Sequence, residues 1–485
     1  IGAFKISGKT ANGFSIGIIN ALTSNQYAKI IDTNNLKSKQ LIEPLTNFFI
    51  ARLQKDFNKG NTVIGAIFTN TYRKIQNSNF ETLPYLASTA GFDYIQFFKN
   101  QKYYFQTKFI VSNVQGSKNS ILELQYSPQR YMQRPDATYI IIDTNLTSLT
   151  GTYTFASLGK AGNSGLRYNL ELYWATPKFE PNDLGFLQST DYLANIFWIG
   201  YILPKSTSNI NSFNINFAQW LGVDNGFNYS FLGVNINWNV QFKNLWNIYS
   251  YSEFNAPSYS KDVLRGGPSF AIPRQFFINL GFASNQSKKF SFGSTIAYGT
   301  RQYSSLSRKK LNFWFSFKPF NFVTLNLQSS YNYSFDALQY LKIEKNTNFL
   351  SSIKQNTFNT IFRVDISITP EITIQYYGSP FVSTVDYFDA KQVTNPKEYD
   401  YYKRFRYLNQ SELDINGYDL SFEQFRSNLV LRYEFGTGSV FYFVWSHQQT
   451  NVTENAEFDP LKNFENLFKA YPTDVLMAKI QFKFI

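Results

Sequence analysis

The feature that most constrains this chain is a two-residue alternation of apolar and polar side chains that recurs along its whole length. Val234, Ile236, Trp238, Val240 and Phe242 alternate with Asn235, Asn237, Asn239 and Gln241. Leu311, Phe313, Phe315 and Phe317 alternate with Lys310, Asn312, Trp314, Ser316 and Lys318. The pattern returns with Phe362, Val364, Ile366 and Ile368 against Ile361, Arg363, Asp365 and Ser367, and with Leu429, Leu431, Tyr433 and Phe435 against Asn428, Val430, Arg432 and Glu434. It returns again with Ala478, Ile480, Phe482 and Phe484 against Lys479, Gln481 and Lys483. Successive side chains of a strand point to opposite faces, so each segment predicts one apolar and one polar face. A soluble antiparallel sandwich with one wet face alternates in the same way. Two features favour a membrane instead: no helical domain interrupts the pattern, and aromatics cluster near strand ends, as at Tyr103, Tyr104 and Phe105, like interfacial girdles.

Composition agrees. Only 16% of the 485 residues are charged, against roughly 25% in an ordinary soluble domain, while 19% are aromatic, with 50 Phe and 34 Tyr. The mean hydropathy is nevertheless −0.29, because the polar face of each strand dilutes the apolar one. A membrane-spanning helix needs about 20 apolar residues; the best candidate, residues 193–203, is about half that length and is interrupted by Asn195 and Gly200. With 0 Cys there is no disulfide and no thiolate metal site. The net charge of +13 is spread through the strands rather than clustered, which argues against nucleic acid as a partner. The opening Ile1-Gly2-Ala3-Phe4 has neither a basic nor an apolar leader region, so an export signal is expected to have been removed or to lie upstream.

The links between strands carry orientation. Tight links are expected at Ala11-Asn12-Gly13, Asn58-Lys59-Gly60, Lys99-Asn100-Gln101, Ala161-Gly162-Asn163-Ser164, Lys243-Asn244, Pro370-Glu371 and Gly436-Thr437-Gly438, whose Gly, Asn and Pro are turn formers. Long links are expected over residues 23–44, 75–87, 177–191, 392–423 and 448–472. Short periplasmic turns mostly alternating with longer outer loops predict an all-β fold, a closed antiparallel transmembrane β-barrel of about 22 strands, with about 21 in this chain. Both the opening strand, residues 2–9, and the closing strand, residues 475–485, then run toward the periplasm. An odd count predicts an additional ascending strand before Ile1, because an open edge is not tolerated in lipid. Residues 120–131 (SILELQYSPQRY) mix strand and helix spacings; a short loop element ended by Pro128 is favoured over another strand.

Five segments taken in order carry a resemblance: EPLTNFFIARLQKDF (43–57), QRPDAT (133–138), FEPNDLGFL (179–187), ITPEITIQYYGSPF (368–381) and YEFGTGSVFYFVWSHQ (433–448). Over essentially the whole chain, this resembles the barrel domain of a Bacteroidota outer-membrane family. In that family a carbohydrate-binding module of the family-9 type precedes a barrel domain of uncharacterised function. The resemblance implies an outer-membrane address, an upstream β-sandwich and a strand before Ile1. It supplies no reaction.

Chemistry-bearing residues are few. His447, the single histidine, follows Trp445 and Ser446. It would be a general base in a membrane-embedded hydrolase, but with no identifiable acid partner it reads better as a polar interface residue. Glu180, Asn182 and Asp183 could offer oxygen ligands to Ca²⁺. A turn is the simpler reading, with Pro181-Asn182-Asp183 initiating and Gly185 at positive φ. Asp136, after Pro135, likewise reads as a turn former. Lys108, Lys310, Lys318, Arg363, Asp365, Arg432, Glu434, Lys479 and Lys483 occupy polar-phase positions and are expected to face the lumen. There they either form cross-strand ion pairs, as Arg363/Asp365 and Arg432/Glu434 would, or tune the lumen for anionic or polar solutes. Nucleotide-binding, zinc and catalytic-triad spacings are missing, so no catalytic residue, metal or cofactor is expected. The expected partners are outer-membrane lipid and lipopolysaccharide, with other proteins of an outer-membrane complex as further candidates. Three functions are then ordered: transport or uptake of a polar, glycan-related solute; a structural or scaffold subunit of a larger complex; and, last, a membrane-embedded hydrolase.

Overall fold

The computed structural model describes residues 2–33, 35–75, 78–415 and 417–483. Phe484 and Ile485, expected to end the closing strand, lie outside the described residues. The chain forms two compact units: Ile1–Tyr201 with Phe217–Val234 and Ser258–Ile272, and Ile202–Asn216 with Asn235–Pro257 and Pro273–Ile485. It is nearly all-β, and 22 of its strands belong to one antiparallel sheet. One of these is the three-residue strand Phe405–Tyr407, which pairs with the end of Ile372–Val393 inside a long link. The remaining 21 agree with the count of about 21 expected from the order of short and long links.

Each expected tight link joins consecutive strands, with Gly436 the last residue of its strand. Their backbone explains the residue choice: Lys99, Asn100 and Gln101 have φ of 46°, 57° and 63°, and Gly13 has 84°, a region that Gly and Asn enter at least cost. The long links contain structure of their own. Residues 24–45 hold the ribbon Gln26–Ile31 with Lys37–Glu43. Residues 454–472 hold a helix, Pro460–Leu467, capped by the Asp459 carboxylate. The mixed-period stretch is also a helix, Lys118–Tyr126. Ser117 caps it, accepting from Ser120 N, and it stops where Ser127 turns extended before Pro128.

Several strands run further than expected, among them Leu86–Phe98, which begins inside the predicted link of residues 75–87. Ile372–Val393 and Leu420–Gly436 encroach on the predicted link of residues 392–423, and Ser439–Thr453 on that of 448–472. Val323–Glu344 and Thr347–Ser367, of 22 and 21 residues, are joined by Lys345 and Asn346 alone, both at positive φ. A bilayer is crossed by about 9–11 residues, so roughly half of each of these strands is extension beyond that need.

Register fixes the two faces. In the second unit Leu280, Ile296, Leu311, Tyr331 and Phe358 are in-register neighbours on five adjacent strands. Ile296 and Leu311 are 57% and 50% exposed. The row one residue away reads Asn279, Ala297, Lys310, Asn332 and Thr357. In the first unit Leu53, Ala66, Phe92, Phe109, Thr154 and Trp174 form one row, and Gln54, Gly65, Asp93, Lys108, Phe155 and Tyr173 the next. The apolar face is therefore largely exposed; in the second unit its end is covered by residues 454–472, with Phe458 5.8 Å from Tyr331 and Phe464 6.1 Å from Phe358. A buried apolar core does exist, but it lies where a loop folds onto the polar face: Ala87, Val114, Ile121, Met132 and Leu149. Gly2–Lys9 pairs with Phe14–Thr23 and Thr473–Gln481 with Ser439–Thr453; the first and last of these strands are exposed at every position. No helix among the described residues is long and apolar enough to cross a membrane.

Candidate functional site

The most elaborate part of the polar face is in the first unit, where residues 116–147, 177–191 and 258–272 fold together. Gly151 makes this possible: a side chain there would meet Phe179 N at 2.1 Å, so the backbone at Lys178 and Phe179 lies directly against bare strand backbone. The loop is held by ion pairs. Arg130 donates to Glu180 Oε2 at 2.5 Å and to the Phe179 carbonyl at 2.7 Å. Arg134 Nη2 and Tyr139 Oη each donate to Asp191 Oδ2 at 2.8 Å. Asn225 Nδ2 donates to the other oxygen of Asp191 at 3.1 Å. Arg73 pairs with Asp183. Lys261 reaches in from residues 258–272, its ammonium bonded to the Thr190 carbonyl and 3.2 Å from that of Asp191.

Burial dominates the electrostatics. It pushes the pKa of Lys261 down, with Asp191 opposing, and that of Arg130 down, with Glu180 opposing. It pushes the Tyr139 hydroxyl up, and Asp191 adds to that effect.

Between this loop and the sheet lies a cavity of about 640 Å³, within the roughly 300–1,000 Å³ usual for small-molecule sites. Ile67, Ile110, Tyr153, Phe179, Leu187 and Tyr192 supply its apolar wall, with Tyr153 stacked on Phe179 at 5.7 Å. Thr69, Thr89, Gln188 and Ser189 supply its polar groups, and none of the lining residues is charged. One pleat further along the strands Arg52 pairs with Asp93, and Lys108 lies 5.4 Å over the Phe155 ring.

The residues singled out from the sequence divide as follows. Glu180 and Asp183 are drawn to different arginines, and Asn182 accepts from Leu187 N at 2.6 Å, so the three serve the loop's own architecture. The expected positive φ at Gly185 is not found; the glycine is required because a side chain would meet the Pro181 carbonyl at 2.6 Å. Asp136 accepts from Ser269 N at 3.1 Å, joining two loops rather than forming a turn alone.

Lys108 is the member of the lumen-facing set in the first unit; the other eight are in the second. Arg432 and Glu434 do pair, at 2.5 Å, but along one strand rather than across two. Arg363 and Asp365 do not pair: Arg363 lies 5.3 Å over the Tyr377 ring, and Asp365 accepts from Gln375 at 3.1 Å. Both partners sit directly opposite on the neighbouring strand, closer in register than the i+2 residue. Lys310, Lys318 and Lys479 are on the polar face without a carboxylate partner among the described residues. Lys483 follows the last strand, its Nα bonded to Ser439 Oγ.

His447 has the acid partner that the sequence did not reveal. Its Nδ1 is 2.9 Å from Asp474 Oδ1, which also accepts from Trp445 Nε1 at 2.8 Å. Ser427 lies opposite His447 on the next strand, completing a Ser–His–Asp row. However, Ser427 is only 4% exposed, and His447 Nε2 faces Gln449 at 3.4 Å, so the hydroxyl is neither presented nor activated.

Missed altogether from the sequence were Arg52 with Asp93, Arg130, Arg134, Asp191 and Lys261. Arg52 and Asp93 are polar-phase strand residues of the kind that did lead to Lys108; the loop residues carry no local signal.

In overall structure the chain is similar to a BenF-like porin from Pseudomonas fluorescens Pf-5 (11% identity, covering 96% of this chain and 98% of that one, TM-score 0.32). It is similar also to Pseudomonas aeruginosa OpdQ (11% identity, 97% of each chain, TM-score 0.33). A third is Pseudomonas aeruginosa OccK2 (OpdF) in complex with glucuronate (11% identity, 96% and 97%, TM-score 0.28). No functionally curated protein matches. By its sequence, matched over residues 1–485, the chain belongs to the family described as a domain of unknown function, DUF5916.

Proposed function

We propose that this chain is the wall of a closed outer-membrane barrel and acts as a transport channel for small polar solutes, with the ion-paired loops of the first unit forming its constriction. The observation that carries this reading is the pair of adjacent rows in each unit: large apolar side chains, mostly exposed, on one face, and charges and amides on the other, with loops folded onto that polar face in the first unit. Water does not favour such an exposed apolar face, whereas hydrocarbon does. Lys108, Lys310, Lys318, Arg363 and Lys479, which have no carboxylate partner among the described residues, favour neutral and anionic solutes over cations. The cavity's uncharged lining, with Tyr153 and Tyr192 beside Thr69, Thr89 and Gln188, suits a hydroxylated ring such as a sugar, in line with a glycan-related solute.

The test is swelling of proteoliposomes carrying the inserted protein. Entry of monosaccharides and small carboxylates faster than cations of equal size is expected. Inserted protein that admits no solute in any variant would overturn channel function. A scaffold role is the second reading, favoured by the loop tyrosines Tyr399 and Tyr471, 94% and 97% exposed.

A further inference from the structure

The apolar face of the second unit is not uniformly convex. Beside the turns formed by residues 243–246 and 284–289 it holds a groove of about 750 Å³. Its walls are Phe242, Trp246, Ile248, Leu280, Phe282 and Ile296. Its floor is low because Ser294 stands in register between Phe282 and Phe313, where the pattern would otherwise place a large apolar residue. The walls are rigid: Trp246 stacks on Phe282 at 6.3 Å and 10°, and Phe292 meets both rings edge-on.

The rim has the opposite character. Asn285 Nδ2 donates to the Asn244 carbonyl at 3.2 Å, tying the two turns together, and Lys243 N donates to the Asn209 carbonyl at 3.0 Å, bringing in residues 203–209. These three turns carry exposed Lys205, Lys243, Lys288 and Lys289 and contain no acidic residue. None of the four lysines has a carboxylate partner among the described residues.

We propose that this groove seats an acyl chain of one anionic phospholipid, with the lysine rim holding its phosphate. The apolar walls select an acyl chain, and the rim selects the headgroup charge. Any lipid would wet the face, but only an anionic one meets both halves of the site. The inference rests on the membrane placement proposed above and is independent of what the channel carries.

The experiment uses Trp246 as its own reporter. The protein is reconstituted in phosphatidylethanolamine vesicles containing a minor fraction of bromine-labelled phosphatidylglycerol or bromine-labelled phosphatidylethanolamine. The Trp246 signal is the difference between the wild type and Trp246→Phe. Phosphatidylglycerol is expected to quench it at a several-fold lower fraction than phosphatidylethanolamine. The triple charge reversal Lys243→Glu, Lys288→Glu, Lys289→Glu should remove that preference, and Ser294→Phe, which raises the floor, should weaken quenching by both lipids. Equal quenching by the two lipids, or a preference untouched by these substitutions, would overturn the site. Absence of quenching by either lipid would overturn the membrane placement instead.

Discussion

Arg130 and Glu180, 50 residues apart, meet at 2.5 Å with side chains only 0% and 6% exposed. The pair joins the link that carries the helix Lys118–Tyr126 to the link that covers the cavity. A buried pair of this kind contributes little net stability against an apolar equivalent, but breaking it leaves a charge stranded. Its role is therefore to fix which loop conformation is adopted.

Replacing Arg130 with Ala should release residues 177–191 from the sheet. The stranded Glu180 carboxylate is expected to cost about 3–5 kcal/mol locally. The double variant Arg130→Met, Glu180→Leu should recover most of that loss. Limited proteolysis of the folded protein, read as the rate of cutting within residues 116–147 and 177–191, checks both outcomes.

Gly151→Val acts on the same contact from the strand side. Its side chain would occupy the place of Phe179 N, and overpacking of this sort costs about 1–3 kcal/mol. The strand itself tolerates valine, so the loop should move while the sheet stays intact. Unchanged circular dichroism with faster solute entry in the swelling assay is the expected result.

How much of this was legible in the sequence depends on the range of the interaction. The strands were legible because alternation is local and repeated: Lys310 and Leu311 announce their faces from adjacent positions. The turns were legible because Gly13, Asn100 and Gly438 carry their conformation in their residue type. The loop pairs were not, since nothing near Arg130 or Arg134 distinguishes Glu180 or Asp191 from any other carboxylate. Arg363 and Asp365 show the intermediate case: the ion pair expected between them gave way to Tyr377 and Gln375, directly opposite on the neighbouring strand, and register cannot be read from one strand alone. His447 is the converse, with its partner Asp474 hidden by a long link.

Lys261 should give the loop assembly a pH dependence. Burial lowers its pKa, against attraction from Asp191, Asp262 and Asp224 and with repulsion from Arg134. Below the ordinary lysine value of about 10.4 the unfolded chain then binds more protons at this residue than the folded one, so its contribution to stability rises with pH. The difference in thermal midpoint between wild type and Lys261→Met should therefore shift in favour of wild type as the pH rises toward that ordinary value. A pH-independent difference would show that Lys261 acts through its carbonyl bonds alone.

The two faces can be told apart within one strand. Leu311→Arg on the apolar face should destabilise the inserted protein by about 2–4 kcal/mol if the residue lies near the bilayer centre. Its neighbour Asn312→Arg on the polar face should change stability by no more than roughly 0.5 kcal/mol. Urea unfolding from vesicles measures both.

The measurement that bears most directly on the central claim is single-channel conductance in a planar bilayer, made on the wild type and on a variant with Arg130 and Arg134 both replaced by Ala. A barrel constricted by these loops should show a small conductance with anions passing more readily than cations, rising severalfold once these two pins are removed from Glu180 and Asp191. Inserted protein that conducts nothing in either form would contradict it.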